Sequence, residues 1–349
     1  MSEPRPILGA TFPELEVFLA ERGHSAYRAR QLFHWLYRHG AVDYSEMNNL
    51  PAELRRELEA AFPITNPPTE VFESSDGTRK YRFRVGPEEA IEAVWIPDER
   101  RKTLCVSSQV GCALQCRFCV TGAIGFKRNL GADEIVAQVR HVKLTEKLPV
   151  TNIVFMGMGE PLLNLDAVVR AIGILSSDHG LKIGRRKITL STVGIVPKIA
   201  EFFRAVDVAL AVSITGTNDP DRDHWMPINR KFPLKALTDT LRSHTWKKGK
   251  KVTFEVVLIH GRTDQDEHAE ELARRLKGIP CMVNLIPYNE NPTFPDLQHP
   301  ARDRVLSFQK ILIQRGIRAM IRRNRGNDIQ AACGQLAGRE VLESRKEEP

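Results

Sequence analysis

The sequence predicts an α/β protein, a partial (β/α) barrel with a small N-terminal helical domain and an antiparallel β extension. Three observations support this fold class. Apolar residues recur with helical spacing up to position 62, alternate with polar residues between positions 71 and 97, and form short strands separated by helical stretches after position 102. We expect domain limits at residues 1–65, 66–102 and 103–338, with a tail at 339–349.

Composition places the chain among globular proteins that bury a large core, since 42% of its 349 residues are hydrophobic. The N-terminus lacks the charged and apolar regions of a signal peptide, and the longest apolar stretches are only strand-length. The six cysteines form no disulfide framework of the secreted type. We therefore expect a cytoplasmic protein in a reducing compartment that makes no contact with a membrane.

The net charge of +8 favours a polyanionic partner only weakly. Its distribution is more informative, because basic residues concentrate in five runs, at 28–38, 79–84, 100–102, 247–251 and 322–325. Each run alone is typical of a solvated face. Together, beside the site described below, they favour RNA or DNA as the partner.

The first three predicted helices cover residues 13–21, 25–38 and 52–62. Gly23 is placed to end the first helix and Ser25 to cap the second. The polar face of this bundle carries Arg28, Arg30, His34 and Arg38. A packing appendage and a nucleic-acid contact both remain open for it.

An antiparallel extension follows, because the spacing of apolar residues changes to two. Asp76 and Gly77 give a turn signal, after which Tyr81, Phe83 and Val85 alternate with Lys80, Arg82 and Arg84. The next strand covers residues 91–96. This pattern predicts one basic face.

The barrel prediction comes from seven apolar strands, at 103–106, 153–156, 188–191, 208–213, 252–258, 283–286 and 317–321. Helical periodicity marks intervening segments such as 132–147, 234–245, 267–277 and 302–315. Parallel strands place ligands at their carboxyl ends. The segments 112–119 and 157–160, with Ser191 and Ser213, all fall there.

The most informative motif is the run Cys112, Cys116 and Cys119, with the spacing C-x-x-x-C-x-x-C. Three thiolates are one fewer than a closed four-iron cluster requires, which indicates a [4Fe–4S] cluster with one iron open to a small ligand. S-adenosylmethionine can chelate that iron, and its reductive cleavage gives a 5′-deoxyadenosyl radical. The alternatives are a zinc site or unpaired core cysteines. Zinc usually needs a second ligand pair, and no histidine lies between Cys105 and Cys119.

A second motif follows a predicted strand at Gly157, Gly159 and Glu160. Its glycines allow close approach of the backbone to a ligand, and Glu160 offers a carboxylate to an ammonium group. Three further polar side chains lie at strand ends and can bond ribose, carboxylate or adenine, namely Ser191, Ser213 and Asn289. A tight turn without ligand is the alternative for the glycines, and a strand cap for each polar residue.

The remaining cysteines differ in context. Cys281 lies in an apolar strand and is interpreted as a buried structural thiol, which is also the default for Cys105. Cys333 lies between small residues and follows the basic run 322–325, which favours a reactive thiolate.

Five segments together resemble the RlmN/Cfr family of radical S-adenosylmethionine adenine methyltransferases, over nearly the whole chain. They are residues 103–119, 157–164, 226–229, 284–289 and 328–336. The resemblance implies a radical SAM barrel and methylation at C2 of one adenosine in the peptidyl-transferase region of 23S rRNA. In some tRNAs it implies the same change at the adenosine 3′ to the anticodon.

The resemblance also implies a role for individual residues. The cluster ligands are Cys112, Cys116 and Cys119. The S-adenosylmethionine contacts are Gly159, Glu160, Ser191, Ser213, Ile214, Thr215 and Asn289. Cys333 is the methyl carrier, Cys105 its disulfide-forming partner, and Glu92 the base. One position departs from the family, which usually has Ser-Leu-His where this chain has Ser213, Ile214 and Thr215.

A radical route suits this substrate, because C2 of adenine is electron-poor and cannot attack a sulfonium methyl group. Two S-adenosylmethionine molecules are used per turnover, one to methylate Cys333 and one to give the radical. The methyl carbon then adds to C2, and the enzyme is transiently bonded to RNA until Cys105 attacks the Cys333 sulfur. The target base must leave its stack, which fits loop or single-stranded RNA.

Three other functions stay open at this point. A Cfr-type enzyme methylates C8 with the same two cysteines, although residues 160–164 look more like the C2 enzymes. A glycyl-radical activase would need no such cysteine pair, and an iron–sulfur electron carrier would bind no S-adenosylmethionine. We expect a monomer that receives electrons from a donor such as a flavodoxin system.

Overall fold

The computed structural model describes residues 6–65, 67 and 69–336. The predicted tail at 339–349 lies outside the described residues, as do residues 1–5, 66, 68, 337 and 338. Within the described part of the chain, no helix has the length and apolar character needed to cross a membrane.

The N-terminal bundle has the three predicted helices, α1 (Phe12–Ala20), α2 (Ala26–His34) and α3 (Ala52–Ala61). Gly23 takes the left-handed conformation, with φ of 76°, just after α1. This is the position predicted to end that helix. A π-helical turn (Trp35–His39) continues α2, and its Leu36 and Tyr37 are fully buried.

The extension has strands β1 (Thr69–Glu73), β2 (Arg79–Gly86) and β3 (Glu89–Pro97), paired antiparallel. Strand β3 also pairs antiparallel with β4 (Lys102–Cys105), so the extension and the barrel share one sheet. Tyr81 and Phe83 are fully buried, as the alternation predicts.

The predicted basic face is wrong at Lys80. This side chain is 1% exposed, and its Nζ lies 3.2 Å from Oε1 of Glu92, which is 5% exposed. Arg82 is half-buried near Glu70, and Arg84 alone of the three is exposed. An ammonium group enters this interior because a carboxylate on the neighbouring strand balances its charge.

The barrel contains the seven predicted parallel strands. They are β4, β7 (Asn152–Phe155), β8 (Ile188–Thr192), β9 (Ala209–Ser213), β10 (Val252–Leu258), β11 (Cys281–Pro287) and β12 (Ala319–Ile321). They are adjacent in this order and the sheet stays open, with β12 at one edge. A short hairpin, β5 (Gln109–Gly111) and β6 (Phe126–Asn129), flanks the cysteine loop.

The helices that cover the sheet are α4 (Val120–Ile124), α5 (Ala132–Arg140), α6 (Leu165–Ser176), α7 (Val196–Ala205), α8 (Asp219–Trp225), α9 (Leu234–Ser243), α10 (Asp266–Leu276) and α11 (Arg302–Gln314). A π-helical turn (His141–Thr145) follows α5. Fully buried aromatic rings such as Phe155, Phe202, Phe254 and Phe308 fill the core of the protein.

The bundle is tied to the barrel through Arg140 at the end of α5. This guanidinium is 2% exposed, and its Nε donates to the carbonyl of Leu36 at 3.1 Å. A second guanidinium nitrogen donates to the carbonyl of Ala41. Because both acceptors are main-chain atoms of the bundle, these bonds fix its position on the barrel.

Replacing Lys80 with Met should lower the free energy of unfolding by about 3 kcal/mol, since the buried Glu92 carboxylate then loses its cation. Adding Glu92→Leu in the same chain should recover most of that loss. Urea unfolding of the single and double variants measures both effects. Arg84→Met, on the exposed part of the same strand, should change the value by less than about 0.5 kcal/mol. Additive losses in the double variant would contradict the pairing.

Candidate active site

The loop with the three predicted metal-ligand cysteines begins at a glycine that no other residue can replace without movement. Gly111 ends β5 with φ of 72°, and a Cβ atom there would lie 1.8 Å from the carbonyl oxygen of Gly125. The amide of Cys112 donates to that same oxygen at 2.8 Å. The close approach therefore fixes the start of the loop and the position of Cys112.

The turn between Cys116 and Cys119 is held by its own backbone. Gln115 takes the left-handed conformation, with φ of 51°, and the amide of Cys119 donates to the carbonyl of Cys116 at 3.1 Å. The amide of Arg117 donates to the carbonyl of Trp225 in α8 at 3.0 Å. The loop is thus anchored to a second element at the carboxyl ends of the strands.

The three thiols form a donor set that fits an iron–sulfur cluster. Burial raises the pKa of Cys112 to about 12 and raises those of Cys116 and Cys119, and charge on neighbouring thiols adds to the shift in all three. Thiols that repel one another as thiolates need a cation between them, and iron supplies it. Among the described residues, no three His, Cys, Asp or Glu side chains converge on a single metal ion. A cluster does not require this, because each of its thiolate ligands binds a different iron.

Glu160 lies in the loop after β7 and directly follows Gly159. Burial raises the pKa of Glu160 to about 7, although the amides of Leu162 and Val193 donate to its carboxylate at 3.0 and 2.9 Å. Gly159 has φ of 98°, and a Cβ atom there would lie 2.5 Å from Gln109. The glycine therefore lets this loop pack against Gln109 of β5. Its predicted role, close approach of the backbone to a ligand, stays a prediction.

A cavity of about 160 Å³ connects this loop with the cysteines. Its walls bring together most of the predicted ligand-binding residues, among them Cys119, Gly159, Glu160, Ser191, Ser213, Asn289 and Cys333. Ile214 and Thr215 are outside this lining as far as the described residues show, and both are fully buried. The amide of Ile214 donates to the carbonyl of Glu255, and the Thr215 hydroxyl accepts from the amide of Val257.

Asn289 joins this cavity to Cys333. Its Nδ2 donates to the carbonyl of Cys333 at 3.2 Å, and its buried Oδ1 has no hydrogen-bond partner in the described part of the chain. A buried acceptor without a partner is costly. A polar ligand in the cavity, such as the adenine or amino group of S-adenosylmethionine, fits this position.

Cys333 is drawn to the cysteine loop by main-chain bonds. The amide of Val120 donates to the carbonyl of Gly334 at 2.8 Å, and the Thr121 hydroxyl donates to the carbonyl of Leu336 at 3.2 Å. Cys333 also lines a second cavity of about 430 Å³, whose walls include Arg101, Arg323 and Arg325. The thiol therefore stands where the two cavities meet.

Cys105, at the end of β4, lies close to Cys333. Burial and then the charge of Cys333 raise the pKa of Cys105 to about 12, and Arg322 opposes the shift. Cys333, then Glu255 and Cys105, raise the pKa of Arg322, so this guanidinium lies among all three groups. All six cysteines are free thiols. Cys281, at the start of β11, is half-buried and apart from this group.

Glu92 is buried in its pair with Lys80 and is outside the lining of both cavities, within the part of the chain described. Its position on β3 nevertheless places it on the face of the sheet that bears Cys105. Val94 pairs with Cys105, and residues two apart on a strand share a face. The side chains of Glu92 and Cys105 therefore lie on the same face.

Two site residues escaped the sequence analysis. Glu255 lies within β10, is 5% exposed and lines both cavities, and its carboxylate is 3.9 Å from Arg322. Arg222 in α8 is 1% exposed. A single carboxylate inside an otherwise apolar strand is the signal that marks Glu255. Nothing in the sequence around Arg222 distinguishes it from a solvated helix residue.

Comparison with known proteins agrees with this geometry. Residues 106–273 match the family model described as the radical SAM superfamily, and residues 6–64 match the ribosomal RNA large subunit methyltransferase N-terminal domain. The superfamily uses a [4Fe–4S] cluster and S-adenosylmethionine, so the two predicted cofactors are confirmed.

Relatives share most of the chain. A dual-specificity RNA methyltransferase RlmN of Geobacter sulfurreducens is 47% identical over 334 residues, which cover 95% of this chain and 92% of that protein. RlmN 2 of Myxococcus xanthus is 46% identical over 91% of this chain and 86% of its own length. The crystal structure of a radical SAM methyltransferase from Sphaerobacter thermophilus is 45% identical, with a TM-score of 0.91 over 96% of this chain and 100% of that one. The predicted fold class is confirmed.

Gly111→Ala should prevent the protein from retaining iron after anaerobic reconstitution, because the added Cβ displaces either Gly125 or Cys112. Gly125→Ala is the matched control. It also has a positive φ, of 84°, but no atom lies within 4 Å of its added Cβ. Its ψ of −178° belongs to a region that is essentially restricted to glycine, so its cost is a backbone strain of about 1–3 kcal/mol without a steric clash. Iron content per chain measures the difference, and equal loss in both variants would contradict the steric argument.

The pH dependence of apoprotein stability should reveal Glu160. Its folded pKa of about 7 lies above the ordinary value of 4.5, so its contribution to stability is complete below pH 4.5 and is lost as pH rises through about 7. The loss should reach about 3 kcal/mol relative to Glu160→Gln, whose amide does not ionise. Urea unfolding of both proteins between pH 4.5 and 8 measures it. A constant difference across this range would show that Glu160 is not shifted.

Proposed function

This chain belongs to the RlmN family of radical SAM RNA methyltransferases, and we propose that it methylates C2 of adenosine. The proposed targets are one adenosine in the peptidyl-transferase region of 23S rRNA and the adenosine 3′ to the anticodon in tRNA. The observation that carries the proposal is the position of Cys333, which lines two neighbouring cavities and shares the smaller one with Cys119. Cys105 lies near Cys333 but outside both linings, as far as the described residues show.

The cofactors are assigned to the cysteine loop, of which Cys119 lines the smaller cavity, and to the polar residues around that cavity. Cys112, Cys116 and Cys119 hold the cluster. Glu160, the Gly159 backbone, Ser191, Ser213 and Asn289 bind S-adenosylmethionine, with main-chain contacts from Ile214 and Thr215. When bound, these cofactors supply the radical chemistry that makes a methyl group on sulfur reactive towards C2.

The methyl group is carried by Cys333 Sγ. This thiol lines both cavities, so it can receive a methyl group from the smaller one and present it to a base in the larger one. Arg322 places a cation beside Cys333, at the point where the methyl group is received. Product release then requires Cys105 Sγ to attack Cys333 Sγ. The S–S bond forms as the bond from Cys333 Sγ to the transferred carbon breaks, that carbon takes up a proton to become the methyl group, and an external thiol reduces the disulfide.

Glu92 is proposed as the base that takes the C2 proton. Its position on the face of the sheet that bears Cys105 supports this role. Its Oε1 lies 3.2 Å from Nζ of Lys80, which orients the carboxyl group. A carboxylate placed beside the substrate can act as a general base for the C2 proton.

RNA is proposed to enter through the larger cavity. Arg101 and Arg323 are exposed, and together with Arg325 they line that cavity. Guanidinium groups at such a mouth suit phosphates on either side of an unstacked adenosine. We also propose that the N-terminal bundle contacts RNA, that the domain limits are those predicted above, and that the enzyme works in the cytoplasm as a monomer with a flavodoxin-type electron donor.

After 23S rRNA or tRNA has been incubated with the enzyme, mass spectrometry of its nucleosides should show 2-methyladenosine as the new product. The motif at residues 160–164 motivates this expectation. Finding 8-methyladenosine alone would replace the proposal with the Cfr-type activity. Modification of rRNA without tRNA would limit the substrate range.

Replacing Cys333 and replacing Cys105 should block the reaction at different steps. Cys333→Ala removes the methyl carrier, so neither methylated protein nor methylated RNA should form. Cys105→Ala permits addition to RNA but removes the thiolate that resolves it, so a covalent adduct should accumulate. Denaturing gel electrophoresis with labelled RNA measures the adduct.

Cys281→Ala is the control for these variants, because this thiol lies apart from the group and should leave turnover unchanged. Release of methylated RNA by Cys105→Ala at the wild-type rate would refute the two-cysteine proposal. An adduct formed by Cys333→Ala would refute it as well.

A further inference from the structure

Arg222 is a cation buried at the site without a hydrogen-bonded anion. It is 1% exposed, and its two terminal nitrogens donate to the carbonyls of Val193 at 2.6 Å and Ser213 at 3.0 Å. No carboxylate in the described ranges forms an ion pair with it, and its buried Nε has no hydrogen-bond partner there. Neutral acceptors alone do not offset the loss of hydration of a guanidinium.

The two carbonyls belong to neighbouring strand ends of the S-adenosylmethionine cavity. Val193 follows β8 and Ser213 ends β9, and both line that cavity. The amide of Val193 also donates to the carboxylate of Glu160 at 2.9 Å. The planar fork of Arg222 therefore sets the spacing of two strand ends and, through Val193, the position of Glu160.

Cys116 of the cysteine loop is the ionisable group whose charge acts most strongly on Arg222. Its helix, α8, accepts the hydrogen bond from Arg117, which lies next to Cys116. Burial lowers the pKa of Arg222 to about 10, and the charges of Cys116 and then Asp219 oppose that shift. The side chain stays cationic at neutral pH. Asp219 is itself engaged by the amide of Leu234 and by Asn229.

The start of α8 is built to bring this side chain inwards. Gly216 has φ of 86°, and a Cβ atom there would lie 2.6 Å from the amide nitrogen of Arg222. The backbone between β9 and α8 therefore packs directly against the backbone of Arg222, the fourth residue of this short helix. Its orientation follows from the backbone and not from a flexible loop.

We propose that Arg222 is a positioning residue with two separable roles, a fork that ties β8 to β9 and a charge that balances the cluster beside Cys116. Three thiolates outweigh the charge of an oxidised four-iron core, and reduction adds one more negative charge. A fixed cation next to this group stabilises the reduced form more than the oxidised form. Arg222 thus raises the reduction potential of the cluster and makes its first electron easier to accept.

The fork and the charge predict different outcomes in two variants. Arg222→Met removes both, and the reduction equilibrium of the cluster should fall about tenfold, which is about 59 mV for a one-electron couple. Arg222→Lys keeps the charge but donates from a single nitrogen, so the equilibrium should stay within about twofold of wild type. In both variants the Kd for S-adenosylmethionine should rise about tenfold, because the strand ends lose one fixed bond.

Potentiometric titration followed by electron paramagnetic resonance measures the first quantity in the anaerobically reconstituted protein. Binding titration with S-adenosylmethionine measures the second. Arg275→Met is the matched control. It removes the same charge from a side chain that donates to Thr217 at 2.8 Å and is partly exposed, so it should alter neither quantity.

An unchanged potential in an Arg222→Met protein with full iron content would overturn the charge role. Should that variant not fold, Arg222→Gln offers a second neutral side chain with the same expectation. Loss of iron from all three variants, Arg222→Lys, Arg222→Met and Arg222→Gln, would also overturn the charge role. Arg222 would then serve only to fold the cysteine loop. The inference rests on ligation by Cys116, and iron retained by Cys116→Ala would refute that ligation separately.

Discussion

The hydrogen bond from the Val120 amide to the Gly334 carbonyl is the contact on which the site depends. It joins the cysteine loop near the start of the barrel to the segment that follows its last strand, at 2.8 Å. Together with the bonds from Asn289 to the Cys333 carbonyl and from Thr121 to the Leu336 carbonyl, it fixes Cys333 relative to Cys119 and to the cavity that both line. Because the barrel is open, its two ends are free to meet at this point instead of through strand pairing.

The interior of the protein also contains several charged side chains. Lys80 with Glu92, Arg322 with Glu255, and Arg222 near Cys116 each place a cation where water is scarce. Such groups add little net stability, because the loss of hydration offsets the attraction. Arg322 and Glu255 line both cavities, and Arg222 donates to two carbonyls at the smaller one, so a role in the site explains these groups better than folding does.

Sequence patterns predicted the barrel well because its strands are short apolar runs separated by helices, and all seven were found near their predicted positions. The cysteine spacing was equally informative, since it encodes a local turn. Patterns failed where tertiary pairing decides the environment. Strand alternation placed Lys80 with the exposed basic residues, yet Glu92 on the next strand allows it to be buried. The burial of Arg222 could not be predicted for the same reason, because its acceptors lie at the end of β9 and just after β8.

Thr215 stands where the family resemblance leads one to expect a histidine, and its side chain has a structural partner. It is fully buried, and its hydroxyl accepts from the Val257 amide at 3.2 Å, which adds a bond between the chain just after β9 and strand β10. Residue 215 is outside the lining of the smaller cavity within the described part of the chain, so this side chain serves the sheet. Two residues earlier, the carbonyl of Ser213 accepts from Arg222, so the end of β9 is held without a contribution from the side chain at position 215.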